Sequence, residues 1–314
     1  MFRIHIEDFS GTEKIKLLNK SNGEYISVIQ SIGANLNEMV LMKDGKLHNI
    51  IEGDKQAESL SGKGTNFYRG AKLSPFPNRV KNGRYNFEGR EYQLAANAPP
   101  HALHGLCWNL PFSVDEQIAT NEGVVLTLQT QYQSLYEGYP FSYQVEIEYT
   151  LEENKFKCAT RILNTGKHNI PIGDGWHPYF TTGSKIDSVK LQLPACRQLE
   201  LDETFIPTGK YLRSDLFAKP TLLGDTLLDH CFELEKCAVA ETRLIDEEKN
   251  MTIVIWQEVG DKGYKYVQVY TPPDRDSIAI EPMSCAPDAF NNKKGLIVLG
   301  QGEMAEFSLG VRLE

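Results

Sequence analysis

The amino-acid sequence predicts an all-β protein, folded as one large antiparallel β-sandwich over residues 1–314. Three observations favour this fold class. Apolar and polar residues alternate with a period of two through many segments, turn dipeptides separate those segments, and the helical period of 3.6 residues is nearly absent. Apolar residues make up 41% of the chain, which is enough for a substantial core.

The alternation is clearest in the middle of the chain. From Phe141 to Leu151 every second residue is apolar or aromatic, and the residues between them are polar. Runs with the same pattern begin at Val124 and at Phe156, and another closes the chain from Phe307 to Leu313. Because successive side chains of a strand point to opposite faces of a sheet, each segment presents one face to a core.

Turn signals stand between these predicted strands. The turn dipeptides are Asn22-Gly23, Asp44-Gly45, Asn82-Gly83 and Thr165-Gly166, and the Asn-Gly and Asp-Gly pairs among them readily adopt the positive φ angles of tight hairpins. The proline-containing cluster Thr271–Asp276 predicts a loop between two strands. Since no proline- or serine-rich linker, charge block or repeat divides the chain, we expect one domain rather than two packed β-domains.

Charge and composition narrow the classes of partner. The net charge is −9 and no block of lysine and arginine is concentrated anywhere, which disfavours nucleic acid and anionic membranes as ligands. A small, uncharged or weakly charged ligand is therefore expected. The first eight residues contain neither an apolar signal region nor a cleavage site, and no stretch reaches the length of a membrane span. We expect a cytoplasmic protein that is a monomer or a homodimer.

The cysteines carry no recognisable motif. All six are scattered without a C-x-x-C pair: Cys107, Cys158, Cys196, Cys231, Cys237 and Cys285. A chain of this length without an export signal needs no disulfides, so reduced and mostly buried thiols are expected.

Four polar segments interrupt the strand pattern and are candidates for a functional site. The first runs from Pro75 to Val80 and presents Asn78 beside Arg79 on a proline-flanked loop. An amide both donates and accepts hydrogen bonds, and a guanidinium offers a planar fork of donors, so the pair suits a polyhydroxylated ligand. The alternative is an exposed arginine in an ordinary turn, and this segment alone favours the alternative.

The second segment places His101 three residues before His104. Two histidines suggest a metal site, but no cysteine, histidine or carboxylate companion stands at a ligand-like distance in the sequence, so no metal is expected. Two interpretations stay open for these imidazoles: hydrogen bonding to the backbone in the interior, and hydrogen bonding beside a substrate.

The third segment runs from Gly173 to Phe180 and contains His177 among aromatic residues. Flat aromatic faces suit a sugar ring, and an imidazole that titrates near neutrality suits protonation of a ring oxygen. An aromatic core cluster closed by a turn is the alternative interpretation.

The fourth segment lies near the C-terminus. Tyr266, Gln268 and Tyr270 share one face of a predicted strand, and Glu281 follows the hydrophobic run 277–280. A carboxylate that is removed from water becomes a stronger base, as acid–base catalysis requires. A glutamate at a strand end already in solvent is the alternative, and the residues alone do not separate the two.

In this order, these segments resemble the motifs of the galactose mutarotase (aldose 1-epimerase) family. The matching elements are Asn78-Arg79, Phe87–Tyr92, Leu103-His104-Gly105 with Trp108 after it, Trp176–Phe180, Asp229–Phe232, Val267–Thr271, Glu281 with Pro287-Asp288-Ala289 after it, and Gly300–Glu303. Each motif is weak alone, but their shared order over roughly residues 30 to 314 identifies the resemblance. The departures indicate a divergent branch, and they are Ser74–Pro77, Leu106 and Pro282.

The resemblance implies a β-sandwich enzyme that interconverts the α and β anomers of a free hexose such as galactose or glucose without a metal or organic cofactor. It implies that His177 is the catalytic acid, that Glu281 is the base and that His104 forms hydrogen bonds near the reacting oxygens. The residues that it implies for the sugar hydroxyls are Asn78, Arg79, Asp229 and Gln268.

Two other functions remain open at this stage. A phosphorylated or otherwise modified sugar is one, because Lys81, Arg84 and Arg90 follow Asn78-Arg79 and could meet a phosphate; solvated charges on a hairpin are the favoured interpretation of these residues. A non-catalytic carbohydrate-binding module is the other, although a pure binder needs no matched acid and base. A glycosidase is disfavoured because hydrolysis usually employs two carboxylates.

Overall fold

The computed structural model describes residues 1–60, 68–213 and 215–314, and most regular structure within them is β-strand. The strands are β1 Phe2–Phe9, β2 Thr12–Asn19, β3 Tyr25–Ile29, β4 Asn35–Lys43, β5 Lys46–Asn49, β6 Ala71–Lys72, β7 Arg79–Val80, β8 Arg84–Phe87, β9 Arg90–Gln93, β10 Ala102–Leu103, β11 Ser113–Ala119, β12 Gly123–Tyr132, β13 Tyr143–Glu152, β14 Lys155–Asn164, β15 Ile170–Ile172, β16 Trp176–His177, β17 Tyr179–Phe180, β18 Lys190–Gln192, β19 Cys196–Leu201, β20 Pro207–Leu212, β21 Thr221–Leu222, β22 Asp229–Leu234, β23 Val239–Asp246, β24 Met251–Glu258, β25 Tyr266–Tyr270, β26 Ile278–Met283, β27 Ile297–Leu299 and β28 Met304–Leu313. Helical segments are short: α1 Ala57–Leu60, α2 Ala289–Asn292 and the 3₁₀ turns Lys81–Gly83, Cys107–Asn109 and Ile186–Ser188.

The largest sheet has nine strands in the order β11-β12-β13-β14-β28-β24-β23-β18-β21. Its long central strands pair antiparallel without interruption, as in the register Tyr143↔Asn164 of β13 and β14. The alternation that predicts a strand from Phe141 to Leu151 is confirmed in β13, where every second residue is buried and the intervening ones are partly exposed. The other three predicted strands are β12, β14 and β28.

A second sheet of six strands has the order β17-β26-β25-β22-β19-β20 and carries most of the candidate residues. Val267 and Val269 of β25 enter the apolar core, so Gln268 between them lies on the opposite face. Strand β26 pairs with β25 so that Glu281 is the partner of Gln268. The predicted loop Thr271–Asp276 is confirmed between these two strands.

One apolar cluster joins the sheets into a sandwich. It extends from Phe2 in the five-stranded sheet β1–β5, through Val145 and Leu309 of the nine-stranded sheet, to Val267 and Ile280 of the six-stranded sheet. The all-β, antiparallel fold class is therefore confirmed, and the organisation as a single domain stays a prediction. Four of the six cysteines are buried, as the sequence predicts. Within the described ranges, helices are too short or too polar to cross a bilayer.

A buried ion pair ties together the two chain segments that lead to His177. Lys72 of β6 is the antiparallel partner of Trp176 in β16, and its Nζ lies 2.7 Å from Oδ2 of Asp174. The hydroxyl of Tyr264 donates a second hydrogen bond to the same carboxylate oxygen at 2.6 Å. Burial raises the pKa of Asp174, and the adjacent ammonium of Lys72 opposes that shift. A charge pair so far from water needs both members, because either one alone is a buried, uncompensated charge.

We predict that Lys72→Met lowers the free energy of unfolding by about 3–5 kcal/mol, because it leaves the Asp174 carboxyl buried without its cation. Urea denaturation at pH 7 measures the change. The matched control is Lys185→Met, which breaks an exposed pair with Asp276 and is expected to leave the free energy of unfolding nearly unchanged, because solvent screens that pair. Equal losses in the two variants would show that burial does not give the Lys72 pair its importance.

Candidate active site

A pocket of about 260 Å³ opens on the outer face of the six-stranded sheet. All seven residues that the sequence marks as catalytic or substrate-binding line it: Asn78, Arg79, His104, His177, Asp229, Gln268 and Glu281. These residues come from segments more than 200 positions apart in the chain, and the register of the sheets brings them together. Their individual roles stay predictions.

One end of the pocket is a hydrogen-bonding cluster built on β22 and β25. Asp229 is the strand partner of Tyr270, and its Oδ1 accepts a hydrogen bond from Nε2 of Gln268 at 2.5 Å. Nη2 of Arg79 lies 4.0 Å from the other carboxylate oxygen. Burial raises the pKa of Asp229, and the Arg79 charge opposes the rise. Donors and acceptors are thus interleaved, as recognition of neighbouring hydroxyl groups requires.

The loop that bears Asn78 and Arg79 has a fixed shape. Asn78 adopts a left-handed backbone conformation with φ of 56°, which asparagine tolerates better than most residues. Its Oδ1 accepts hydrogen bonds from the Arg79 backbone N–H at 2.9 Å and from Nη1 of Arg79 at 3.3 Å. The amide side chain therefore holds the guanidinium over the pocket.

Three side chains clamp the same loop from outside it. Nδ1 of His104 accepts the backbone N–H of Asn78 at 3.2 Å, and Nδ1 of His101 accepts that of Asn82 at 3.0 Å. Oδ1 of Asp288 accepts the backbone N–H of Lys81 at 2.8 Å. For His101 the backbone-bonding interpretation is correct, while His104 both clamps the loop and lines the pocket. Asp288, which the sequence marks only as part of a motif, positions the Asn78-Arg79 segment.

The opposite end of the pocket contains a close pair of titratable groups. Nε2 of His177 lies 3.3 Å from Oε1 of Glu281, and the two residues are only 5% and 2% exposed. The interpretation of Glu281 as a strand end in solvent is therefore wrong. Oε2 of Glu281 and Nδ1 of His177 are buried and form no hydrogen bond with the described residues. Polar atoms left in this state are unusual in folded proteins and often mark a functional site.

Removal from water shifts both pKa values toward the neutral forms. Burial raises the pKa of Glu281 well above its usual range; the Asp229 carboxylate adds to the rise and the Arg79 guanidinium opposes it. Burial also lowers the pKa of His177 to about 3, an effect that the Arg69 charge strengthens. Both shifts act in the same sense, because they favour a neutral imidazole beside a protonated carboxyl over an imidazolium beside a carboxylate.

His104 completes a triad of potential ligand atoms with His177 and Glu281, all within 4.8 Å of one another. Two histidines and one glutamate are a known zinc ligand set. However, Nδ1 of His104 already accepts the Asn78 N–H, and burial lowers the pKa of His104, so the neutral ring carries its proton on Nε2. A protonated nitrogen cannot bind a metal ion. The geometry instead makes His104 an N–H donor toward the pocket.

Four further residues line the pocket that the sequence did not mark for it: Tyr68, Leu103, Tyr179 and Tyr270. Two of them had a signal, because Tyr270 stands two positions from Gln268 on the same strand and Tyr179 stands two positions from His177 in an extended segment. Tyr68 had none, since it reaches the pocket only through the tertiary fold.

The three basic residues considered for a phosphate lie elsewhere. Lys81, Arg84 and Arg90 are not among the described residues that line the pocket. All three are exposed, and Nε of Arg84 donates a hydrogen bond to Gln93 in the neighbouring strand. The interpretation as solvated charges on a hairpin fits these positions.

Comparisons with known proteins agree with the fold and show the family. The family model for aldose 1-epimerases matches residues 16–312. The Escherichia coli K12 protein YihR is 29% identical over 90% of this chain and 88% of its own length. The maltose epimerase of Levilactobacillus brevis is 25% identical over 87% of this chain and 80% of its own length. The crystal structure of a galactose mutarotase-like protein from Clostridium acetobutylicum superposes with a TM-score of 0.88, at 18% identity over 100% of this chain and 98% of that one.

We predict that Glu281→Gln raises the free energy of unfolding at pH 8 by on the order of 1 kcal/mol, as other replacements of strained functional groups do. The pKa of Glu281 is higher in the folded than in the unfolded chain. Its contribution to stability is therefore fully present below about pH 4.5 and is lost as the pH rises through the folded value. The gain from glutamine should therefore grow as the pH rises above about 4.5 and should level off above the folded pKa of Glu281. Urea denaturation of both proteins from pH 5 to 8 measures it, and a variant less stable than wild type at pH 8 would contradict the assignment.

Proposed function

The chain belongs to the aldose 1-epimerase family, and from that premise we propose that it interconverts the α and β anomers of a free hexose such as galactose or glucose. As a member of this family it is an isomerase. The observation that carries the proposal is the buried pair of His177 and Glu281, 3.3 Å apart, in a pocket whose other end is a cluster of hydrogen-bonding groups.

The proposed reaction opens and recloses the sugar ring. The carboxylate of Glu281 removes the proton from the C1 hydroxyl while the imidazolium of His177 protonates the ring oxygen. The bond between C1 and the ring oxygen breaks, and C1 becomes an aldehyde. Rotation about C1–C2 presents the other face of the aldehyde, and closure with both proton transfers reversed yields the other anomer.

The shared proton explains how the pair serves both directions. Desolvation favours neutral His177 with protonated Glu281 in the empty pocket. Hydroxyl groups of a bound sugar supply hydrogen bonds that favour the charged form, in which the proton lies on His177 and Glu281 is the base. Ring opening consumes that form and generates the neutral one, and ring closure restores it. The enzyme therefore ends each cycle with the proton count it began with.

The remaining residues orient the sugar. The Nε2–H of His104 donates a hydrogen bond, without transferring its proton, to an oxygen that gains negative charge during ring opening. Asp229 and Gln268 accept from and donate to adjacent ring hydroxyls, and Asn78 holds the Arg79 fork against the same end of the ring. Fixing the ring at several hydroxyls places C1 against the acid–base pair, which supplies rate through orientation.

We predict that Glu281→Gln and His177→Gln each lower kcat/KM for anomer exchange by about 10²–10⁴-fold, because each removes one member of the acid–base pair. Polarimetry on freshly dissolved α-glucose and α-galactose, or exchange NMR at equilibrium, measures the rate. The control is Glu146→Gln on β13, where the carboxylate pairs with Arg161 away from the pocket and a normal rate is expected.

Two results would contradict this function. An unchanged rate in Glu281→Gln would show that another group is the base. Saturable sugar binding by calorimetry without faster exchange in the wild-type protein would identify a carbohydrate-binding module instead. Assays with glucose 6-phosphate and with maltose, the sugar in the name of one relative, test whether a modified or larger sugar is preferred.

A further inference from the structure

The imidazole of His177 is stacked on a buried tyrosine. The ring centroids of His177 and Tyr179 lie 5.1 Å apart with an angle of 19° between the ring planes. The two residues are two positions apart in an extended segment, so their side chains leave the backbone on the same side. Tyr179 is 1% exposed and also meets Tyr270 edge to face at 6.4 Å. Rotation of the His177 ring about its side-chain bonds is therefore restricted by a fixed aromatic face.

A guanidinium lies over the same tyrosine. The Cζ atom of Arg69 is 5.4 Å from the Tyr179 ring centroid, within the range of a cation–π interaction. Two carboxylates hold this guanidinium: Nη2 lies 3.3 Å from Glu52, and Nη1 lies 3.9 Å from Asp54. Glu52 in turn accepts a hydrogen bond from the Ser277 hydroxyl, just before β26.

Backbone hydrogen bonds attach the same segments to the two short strands β16 and β17, which carry His177 and Tyr179. The N–H of Gly70 donates to the carbonyl of His177 at 2.9 Å, and the N–H of Glu52 donates to the carbonyl of Tyr179 at 2.8 Å. The backbone of Glu52, and that of Gly70 next to Arg69, therefore fix where the Glu52 and Arg69 side chains lie relative to His177. A side-chain stack built on such a frame is preorganised, which positioned catalytic groups require.

From this geometry we infer that Tyr179 and Arg69 are positioning residues for His177. The tyrosine ring holds the imidazole in the plane that directs Nε2 toward Glu281 and the sugar, and the arginine holds the tyrosine. The guanidinium also places a fixed positive charge behind the imidazole. This inference rests on the proposed function for its kinetic consequences, but its structural and protonation consequences are independent of catalysis.

The positive charge of Arg69 changes the pKa of His177 in one definite direction. The titratable or charged groups that face His177 are Glu281, His104, Tyr68, Tyr179 and, through the tyrosine ring, Arg69. Burial is the largest cause of the lowered pKa of His177, and the Arg69 charge lowers it further. Removal of that charge should make the imidazole easier to protonate and a weaker acid once protonated.

Substitutions at Tyr179 separate the ring from its hydroxyl. We expect Tyr179→Phe to retain kcat within about threefold, and Tyr179→Leu to lower kcat by about 10- to 100-fold because a misplaced acid loses its alignment. Equal losses of kcat in both variants would overturn the stacking role, since they would show that the Tyr179 hydroxyl, and not its ring, is needed for activity.

Substitutions at Arg69 separate charge from packing. We expect Arg69→Met to move the acid limb of the kcat/KM profile to higher pH and Arg69→Lys to leave it near the wild-type position. In the same variants, NMR of the His177 imidazole, assigned with His177→Gln, should show protonation beginning at higher pH in Arg69→Met. This titration needs no turnover, so it tests the inference even if the wild-type protein does not exchange anomers.

A matched control exists outside the pocket. Arg197 lies over the ring of Tyr211 at 4.3 Å and pairs with Glu233 at 3.0 Å, which reproduces the arginine–tyrosine–carboxylate arrangement at an exposed position. Arg197→Met should leave both the pH profile and the His177 titration unchanged. If Arg69→Met also leaves them unchanged, or if Arg197→Met shifts them equally, the inference is wrong.

Discussion

A carboxyl group and an imidazole 3.3 Å apart, almost completely removed from water, are the constraint around which this molecule is organised. Burial costs free energy for each charged form, and it drives Glu281 and His177 toward a neutral pair that shares one proton. In the proposed reaction, the same desolvation would make the Glu281 carboxylate a strong base and the His177 imidazolium a strong acid. Desolvation thus accounts both for the free-energy penalty of burying the pair and for the acid and base strengths proposed for it.

The rest of the fold holds this pair in place. Glu281 is fixed by the register of β26 against β25, and His177 is fixed by the pairing of β16 with β6 and by the buried Lys72–Asp174 ion pair beneath it. On the substrate side, His104 and Asp288 hold the backbone of the Asn78-Arg79 loop. Because Nδ1 of the histidine that clamps this loop accepts the Asn78 N–H, its neutral ring presents Nε2–H as a hydrogen-bond donor toward the pocket.

Prediction from sequence succeeds here where a local pattern carries the information. The period-two alternation of β13 and the same-face set on β25 follow from strand geometry, and both are confirmed. The burial of Glu281 was not predictable, because the sequence pattern of a glutamate after an apolar run is the same whether the residue ends a strand in solvent or lies inside a pocket. The clamp of Asp288 on Lys81, 207 positions away, and the approach of Tyr68 depend on tertiary contacts that leave no periodic signal. Only the resemblance to a family indicated that motifs so far apart in the sequence belong to one site.

A double-mutant cycle on anomer exchange tests the central claim, that His177 and Glu281 act as one unit, most directly. The rates of His177→Gln, Glu281→Gln and the double variant are compared with wild type by exchange NMR on one sugar. Because each substitution alone disables the shared proton transfer, the double variant should be no slower than the slower single variant. Losses that multiply in the double variant would contradict the account, since they would show two groups acting independently.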